Sequence, residues 1–177
     1  MNILLTLIAL LALLSFLLKG SFYPRWARGV AALVLAVFVR LAVPWLTRLS
    51  PASFAAWIAA PAHLLDGAVC IVMEILLMGA FCFGHASGRW RLLNFYPGLL
   101  AFPAVFWGWA QGLYALPGVH FTRFAWIAAG VTLAVAWGGA ALLRRLLPEE
   151  SSRLEALFLV QLFLLLLTVA ATGAITF

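Results

Sequence analysis

Long apolar runs, interrupted at short intervals by arginine, glycine and proline, set out this chain before any other feature. Residues 3–18 read ILLTLIALLALLSFLL, and the basic residues Lys19, Arg25 and Arg28 come after that run. A secretory signal has the reverse order, with basic residues first and small cleavage-site residues behind, so the run is read as a retained first span. A second run, 30–46, carries Arg40 near its middle. Residues 47–60, with Arg48, Pro51 and Trp57, suit a short interfacial helix before Pro61 opens the third span.

The third run, 61–85, is long enough to cross a bilayer and holds His63, Asp66 and Glu74. The fourth, 92–116, is irregular. It contains Pro97-Gly98, Pro103, Gly108 and Gly112, with Asn94 and Gln111 as polar members, and predicts a kinked or broken helix. A fifth span is expected over 124–143, closed by Arg144, Arg145 and Pro148. Ser152-Arg153-Leu154-Glu155 has the form of a capping box that starts a sixth helix continuing to Phe177. Phe22-Tyr23-Pro24 recurs as Phe95-Tyr96-Pro97, but nothing around the triplets aligns, and the recurrence reads as coincidence.

Composition turns these runs into a class. Of 177 residues, 67% are hydrophobic and 9% charged, with mean hydropathy +1.14. Soluble domains are about 45–50% apolar and about 25% charged. The runs do not alternate as β-barrel strands do. The expected fold is an all-α integral membrane protein of about six transmembrane helices, one polytopic domain over 1–177 with no soluble domain.

Charge then orients it. The formal net charge is +6, yet there is no basic helix or tail to suit nucleic acid. Lys19, Arg25, Arg28, Arg89, Arg91, Arg144, Arg145 and Arg153 fall in the first, third and fifth gaps, and only Arg48 and Arg123 in the even ones. That bias predicts an inner-membrane protein with both termini on the non-cytoplasmic side.

Candidate chemistry centres on the third helix. At about 100° per residue, His63, Asp66, Cys70, Glu74, Phe81 and His85 share an arc of roughly 100°. An ionisable residue at mid-membrane is read by default as functional, with a partner to be named. Arg40 and Glu74 are the two charges at full depth: a protonatable relay and its counter-ion, or a buried pair that fixes helix register. Arg40 has a further option, a carboxylate on a partner subunit. His63 and Asp66, one turn apart, extend the ion or proton pathway toward the surface, or simply sit in water at a helix end. Gly108 and Gly112 form a GxxxG spacing for helix packing, and Gln161, Thr168 and Thr172 share a face that suits bonding to a neighbouring helix.

Other chemistries have little to work with. Cys70 and Cys82 lie about 18 Å apart on one helix, too far to bridge, and no CxxC, HxxH or MxxM spacing nominates a metal. His63 and His120, both expected on the outer side, are the only pair offered for a haem. No GxSxG, HExxH, P-loop or GxGxxG motif is present, so no catalytic residue is assigned and no cofactor follows. Three functions remain. The first is a non-catalytic integral subunit of a larger membrane complex, coupled to the proton gradient through Glu74 and Arg40, with the lipid bilayer, other subunits or further copies as partners. The second is an autonomous small transporter or proton/ion-conducting protein. The third is a membrane enzyme, or a haem- or quinone-binding protein, using His63 and Asp66.

Overall fold

The computed structural model describes residues 2–46, 48, 50, 53–54, 61–84, 95–116, 118 and 120–173, with the backbone alone for 2, 61–65, 84 and 171–173. Each apolar run within them is helical, since helices satisfy every backbone donor and acceptor where water is excluded. Helix α1 spans Asn2–Ser21, α2 Arg25–Leu46, α3 Pro61–Gly84, α4 Ala101–Ala115, α5 Phe121–Leu146 and α6 Glu150–Gly173. Helices α1, α2, α3, α5 and α6 are long and apolar enough to cross a membrane.

Several boundaries differ from the sequence expectation, each for a local reason. The turn after α1 is tight: the Phe22 and Tyr23 N–H groups donate to the Lys19 and Gly20 carbonyls at 3.1 and 3.2 Å. Pro24 then accepts from the Arg28 N–H at 3.0 Å, so α2 starts at Arg25, five residues before its apolar run. At its far end Pro44 lies inside the helix and withholds the donor that the Arg40 carbonyl would otherwise receive. Helix α6 begins before the expected capping box. The Arg153 N–H bonds to the Glu149 carbonyl at 3.3 Å, and the Ser152 hydroxyl meets the Glu149 carboxylate at 3.3 Å.

The fourth run departs furthest. Residues 96–98 have no regular secondary structure, 99–100 form a turn, and the helix that follows has only 15 residues. That is about 22 Å of rise, against a hydrocarbon core of about 30 Å. Asn94 lies outside the described residues. So does the interfacial helix expected over 47–60, apart from Arg48, Ser50, Ser53 and Phe54. Of these, Phe54 is buried and packs on Phe106, Trp107 and Tyr114 of α4.

Helix α1 is the axis of the bundle, packing on α4, α5 and α6. The most extensive pairing is α2 with α5, while α3 packs chiefly on α6. The two flanks are therefore α2–α5 on one side of α1 and α3–α6 on the other. One apolar core joins Phe16, Leu35, Val39, Val105, Phe124 and Ala128 across α1, α2, α4 and α5. A second joins Ala12, Leu18, Met78, Phe81, Leu157 and Leu164 across α1, α3 and α6. Helices α1 and α5 come closest at small residues: a Cβ on Gly20 would stand 3.1 Å from the Ala140 Cβ, and one on Gly139 3.2 Å from Leu17. Outside, large apolar side chains are exposed on α1, α2, α3, α5 and α6, among them Val37, Leu76, Trp137 and Phe163. In water this surface would be unfavourable; against lipid tails it is ordinary.

Candidate functional site

Glu74 lies on the inward face of α3, three-quarters of a helical turn of sequence from Ile71 and one turn from Met78, and is 2% exposed. Its carboxylate accepts from the Tyr96 hydroxyl at 2.6 Å and from the Leu99 N–H at 2.9 Å. The Leu99 N–H also reaches the Tyr96 hydroxyl oxygen at 3.3 Å. These donors belong to the start of α4, where Leu100 occupies the cap position and offers no side-chain cap. The first N–H groups of a helix lack internal partners and carry partial positive charge. Glu74 therefore acts as a cap delivered from another helix.

The cradle is closed by a glycine. Gly98 has φ +89°, and a Cβ there would stand 2.8 Å from Glu74 Oε1 and 3.2 Å from Met78 Cε. Only a residue without a side chain combines that backbone angle with that approach.

Behind the cradle, the Tyr23 hydroxyl donates to the Tyr96 carbonyl at 2.5 Å, and Trp26 packs on Phe95 with ring centroids 5.9 Å apart. Burial pushes the Tyr23 phenol above its ordinary range, and the Glu74 charge adds to this. Two guanidinium groups brace the same turn. Arg28 donates to the Gly20 and Tyr23 carbonyls at 3.2 and 3.3 Å, and Arg153 donates to the Ser21 carbonyl at 3.2 Å while lying over Phe22. Cations on the last carbonyls of α1 complement its dipole. The turn after α1, the start of α6 and the segment that leads into α4 thus gather at one end.

Lys19 completes the cluster. It is 0% exposed, its Nζ lies 2.7 Å from the centroid of the Phe81 ring, and among the described residues that nitrogen has no hydrogen-bond partner. Lys19 and Glu74 act on each other through their charges, and Cys82 shares the same surroundings.

The other residues singled out from the sequence scatter. Arg40 is not at Glu74: its guanidinium lies over the Trp126 ring at 4.8 Å, on the opposite flank. Asp66 is exposed on α3. The His63 side chain and all of His85 lie outside the described residues, and His120 is an exposed residue at the start of α5. Gly108 faces open space, and Gly112 meets the Phe124 and Trp109 rings at 3.8 Å, so among the described helix glycines the tight contacts with another helix are at Gly20 and Gly139. Gln161 donates to the Ser15 hydroxyl of α1 at 2.6 Å. Thr168 donates to the Leu164 carbonyl of its own helix, and the Thr172 side chain lies outside the described residues. Among the described residues no group of His, Cys, Asp and Glu is arranged to hold a metal.

A cleft of about 280 Å³ between α1, α2, α4 and α5 is lined by Phe16, Leu35, Gly108, Val131 and neighbouring residues. Its polar member, the Thr132 hydroxyl, is already bonded to Trp109 and to the Ala128 carbonyl. Glu74 and Lys19 are not part of its lining. Lys19, Tyr23, Tyr96 and Gly98 were not marked as site residues by the sequence. In the sequence the two tyrosines share the repeated Phe-Tyr-Pro triplet, which reads there as coincidence. Comparison with family models, curated proteins and solved structures finds no significant match.

Proposed function

We propose that this chain is a non-catalytic, multi-pass subunit of a larger inner-membrane assembly. In this reading α4, with the irregular segment before it, makes up the sixth membrane segment, and both termini face away from the cytoplasm. The observation that supports it is the use made of Glu74. The deepest carboxylate of the chain is engaged by the Tyr96 hydroxyl and the Leu99 N–H, so it holds the protein's own backbone rather than waiting for cargo. Recovery from native membranes in a mild detergent, with mass spectrometry of the co-purifying proteins, tests the proposal. Stoichiometric partner subunits are expected; a solitary monomer in native membranes overturns it.

A second reading, proton conduction, is favoured by Lys19. A fully buried amine without a hydrogen-bond partner among the described residues, within electrostatic reach of a buried carboxylate, is a pair able to exchange a proton. Here Lys19 takes the place that the sequence offered to Arg40. Proton flux in proteoliposomes that is abolished by Glu74→Gln supports this reading, and flux unchanged by that substitution removes it.

A further inference from the structure

Two opposite charges sit at matching depth on opposite flanks of the bundle and do not meet within one chain. Arg40 stands six residues before the end of α2 at Leu46, about 9 Å of rise. Asp66 stands five residues after the start of α3 at Pro61, about 7.5 Å of rise. Both are at the same end of the bundle, because the other ends of these helices meet: α2 starts two residues after Tyr23, and Phe81 near the end of α3 packs on Phe22 at 5.5 Å. Between the flanks lies α1, with α2 packed on α5 and α4, and α3 chiefly on α6.

Among the described residues neither charge has an ion-pair partner. Asp66 is exposed. Arg40 is half-buried over Trp126, a residue itself 64% exposed, and among the described residues its Nε has no hydrogen-bond partner. The chain has five carboxylate side chains. Glu74 caps α4, while Glu149, Glu150 and Glu155 stand at the start of α6, toward the Tyr23 end. Asp66 is the remaining one, and it is on the far flank.

The surfaces beneath the two charges match as well. From Arg40 the exposed face of α2 continues inward through Val37 and Leu33, and from Asp66 that of α3 continues inward through Val69, Cys70 and Met73. Each is an apolar helix face with one charge a turn or two from the membrane surface.

We infer that a second copy of the chain docks its α3 flank against the α2–α5 flank of the first, so that Asp66 of one copy pairs with Arg40 of the other. Pairing removes two isolated charges from the margin of the hydrocarbon. The two patches are different surfaces, so the contact is head-to-tail, and every copy offers both halves. Such contacts close into a ring or extend as a row. The contact deepens the subunit reading, on which it rests for its setting, by making further copies part of the assembly.

The test uses the full chain in native membranes. Val37 lies one turn deeper than Arg40, and Cys70 one turn deeper than Asp66. With Cys82→Ala to remove the other thiol, Val37→Cys is oxidised against the native Cys70. A ladder of covalent dimers, trimers and larger species is expected, and it disappears with Cys70→Ser. A dimer that persists with Cys70→Ser, or no cross-link, overturns the inference. Independently, Arg40→Asp and Asp66→Arg are each expected to lower the oligomer at least about tenfold, the scale on which a lost ion pair is read, and the double exchange to restore it. Oligomer that survives both single exchanges overturns the inference. A monomer of this chain bound to other proteins overturns it too, while leaving the subunit reading intact. A ladder with no foreign subunit supports it and instead overturns membership of a mixed assembly.

Discussion

The hydroxyl of Tyr23 donates to the carbonyl of Tyr96 at 2.5 Å, across 73 residues of sequence. The two Phe-Tyr-Pro triplets thereby meet: one ends α1, and the other leads into α4. The first brings a phenol to a carbonyl that precedes a proline, and the second brings a phenol to Glu74. What links them is a shared local role, an aromatic donor held beside a chain reversal, rather than an ancestral repeat of helices.

Gly98→Ala is expected to destabilise the fold by about 1–3 kcal/mol, since it combines a strained backbone angle with contact against the Glu74 carboxylate. Gly118 supplies the control. Its φ is +93°, but a Cβ there meets nothing within 4 Å, so Gly118→Ala carries only the backbone term, about 1–2 kcal/mol. Thermal melts of both variants in detergent compare them; equal losses contradict the cradle.

Glu74→Gln and Glu74→Leu separate capping from charge. Glutamine keeps an acceptor for Tyr96 and Leu99, and its loss of stability is expected within about 1.5 kcal/mol. Leucine leaves buried donors unsatisfied, at a further cost of about 1–3 kcal/mol. If the leucine variant unfolds at the wild-type temperature, Glu74 does not hold α4.

Tyr23 gives the protein an alkaline limit. Its folded value lies above the ordinary phenol value of 10.0, so above pH 10 the unfolded chain loses this proton first. Stability is fully present below that pH and is lost as pH rises toward the folded value. Melting temperature measured from pH 8 upward is expected to fall beyond pH 10, less steeply in a Tyr23→Phe variant. A parallel fall in both proteins assigns the alkaline limit elsewhere.

Orientation is tested with single cysteines in a background of Cys70→Ala and Cys82→Ala. Glu149→Cys is expected to react with a membrane-impermeant maleimide only after the cytoplasmic side is opened, and His120→Cys in intact cells. The opposite pattern inverts the topology.

Much of this architecture was legible because membrane helices announce themselves by length and apolarity. Pro61 starts its helix as expected, and the positions of Arg144, Arg145 and Arg153 agree with the end at which their gap is found. Glu74 was legible because a carboxylate inside an apolar run is rare. Its partners were not, because a backbone N–H leaves no mark in a sequence and Leu99 looks like any other leucine. Gly98 read as a helix breaker, when its smaller consequence, room for one carboxylate oxygen, decides the site. Lys19 read as a flanking charge of the first span, yet it is drawn inward over Phe81. Arg40 was visible, but its assignment to Glu74 rested on depth alone, and depth does not say which flank of a bundle a helix occupies.

The cap supplied by Glu74 also bears on how the chain enters the bilayer. Tyr96 and Leu99 lie 22 and 25 residues beyond Glu74, so they leave the ribosome after α3 is complete. Until then the Glu74 carboxylate lacks these two donors and α4 lacks its cap. Each helix supplies what the other lacks. Glu74 can therefore fix the start of α4 only after the chain has been made 25 residues past it.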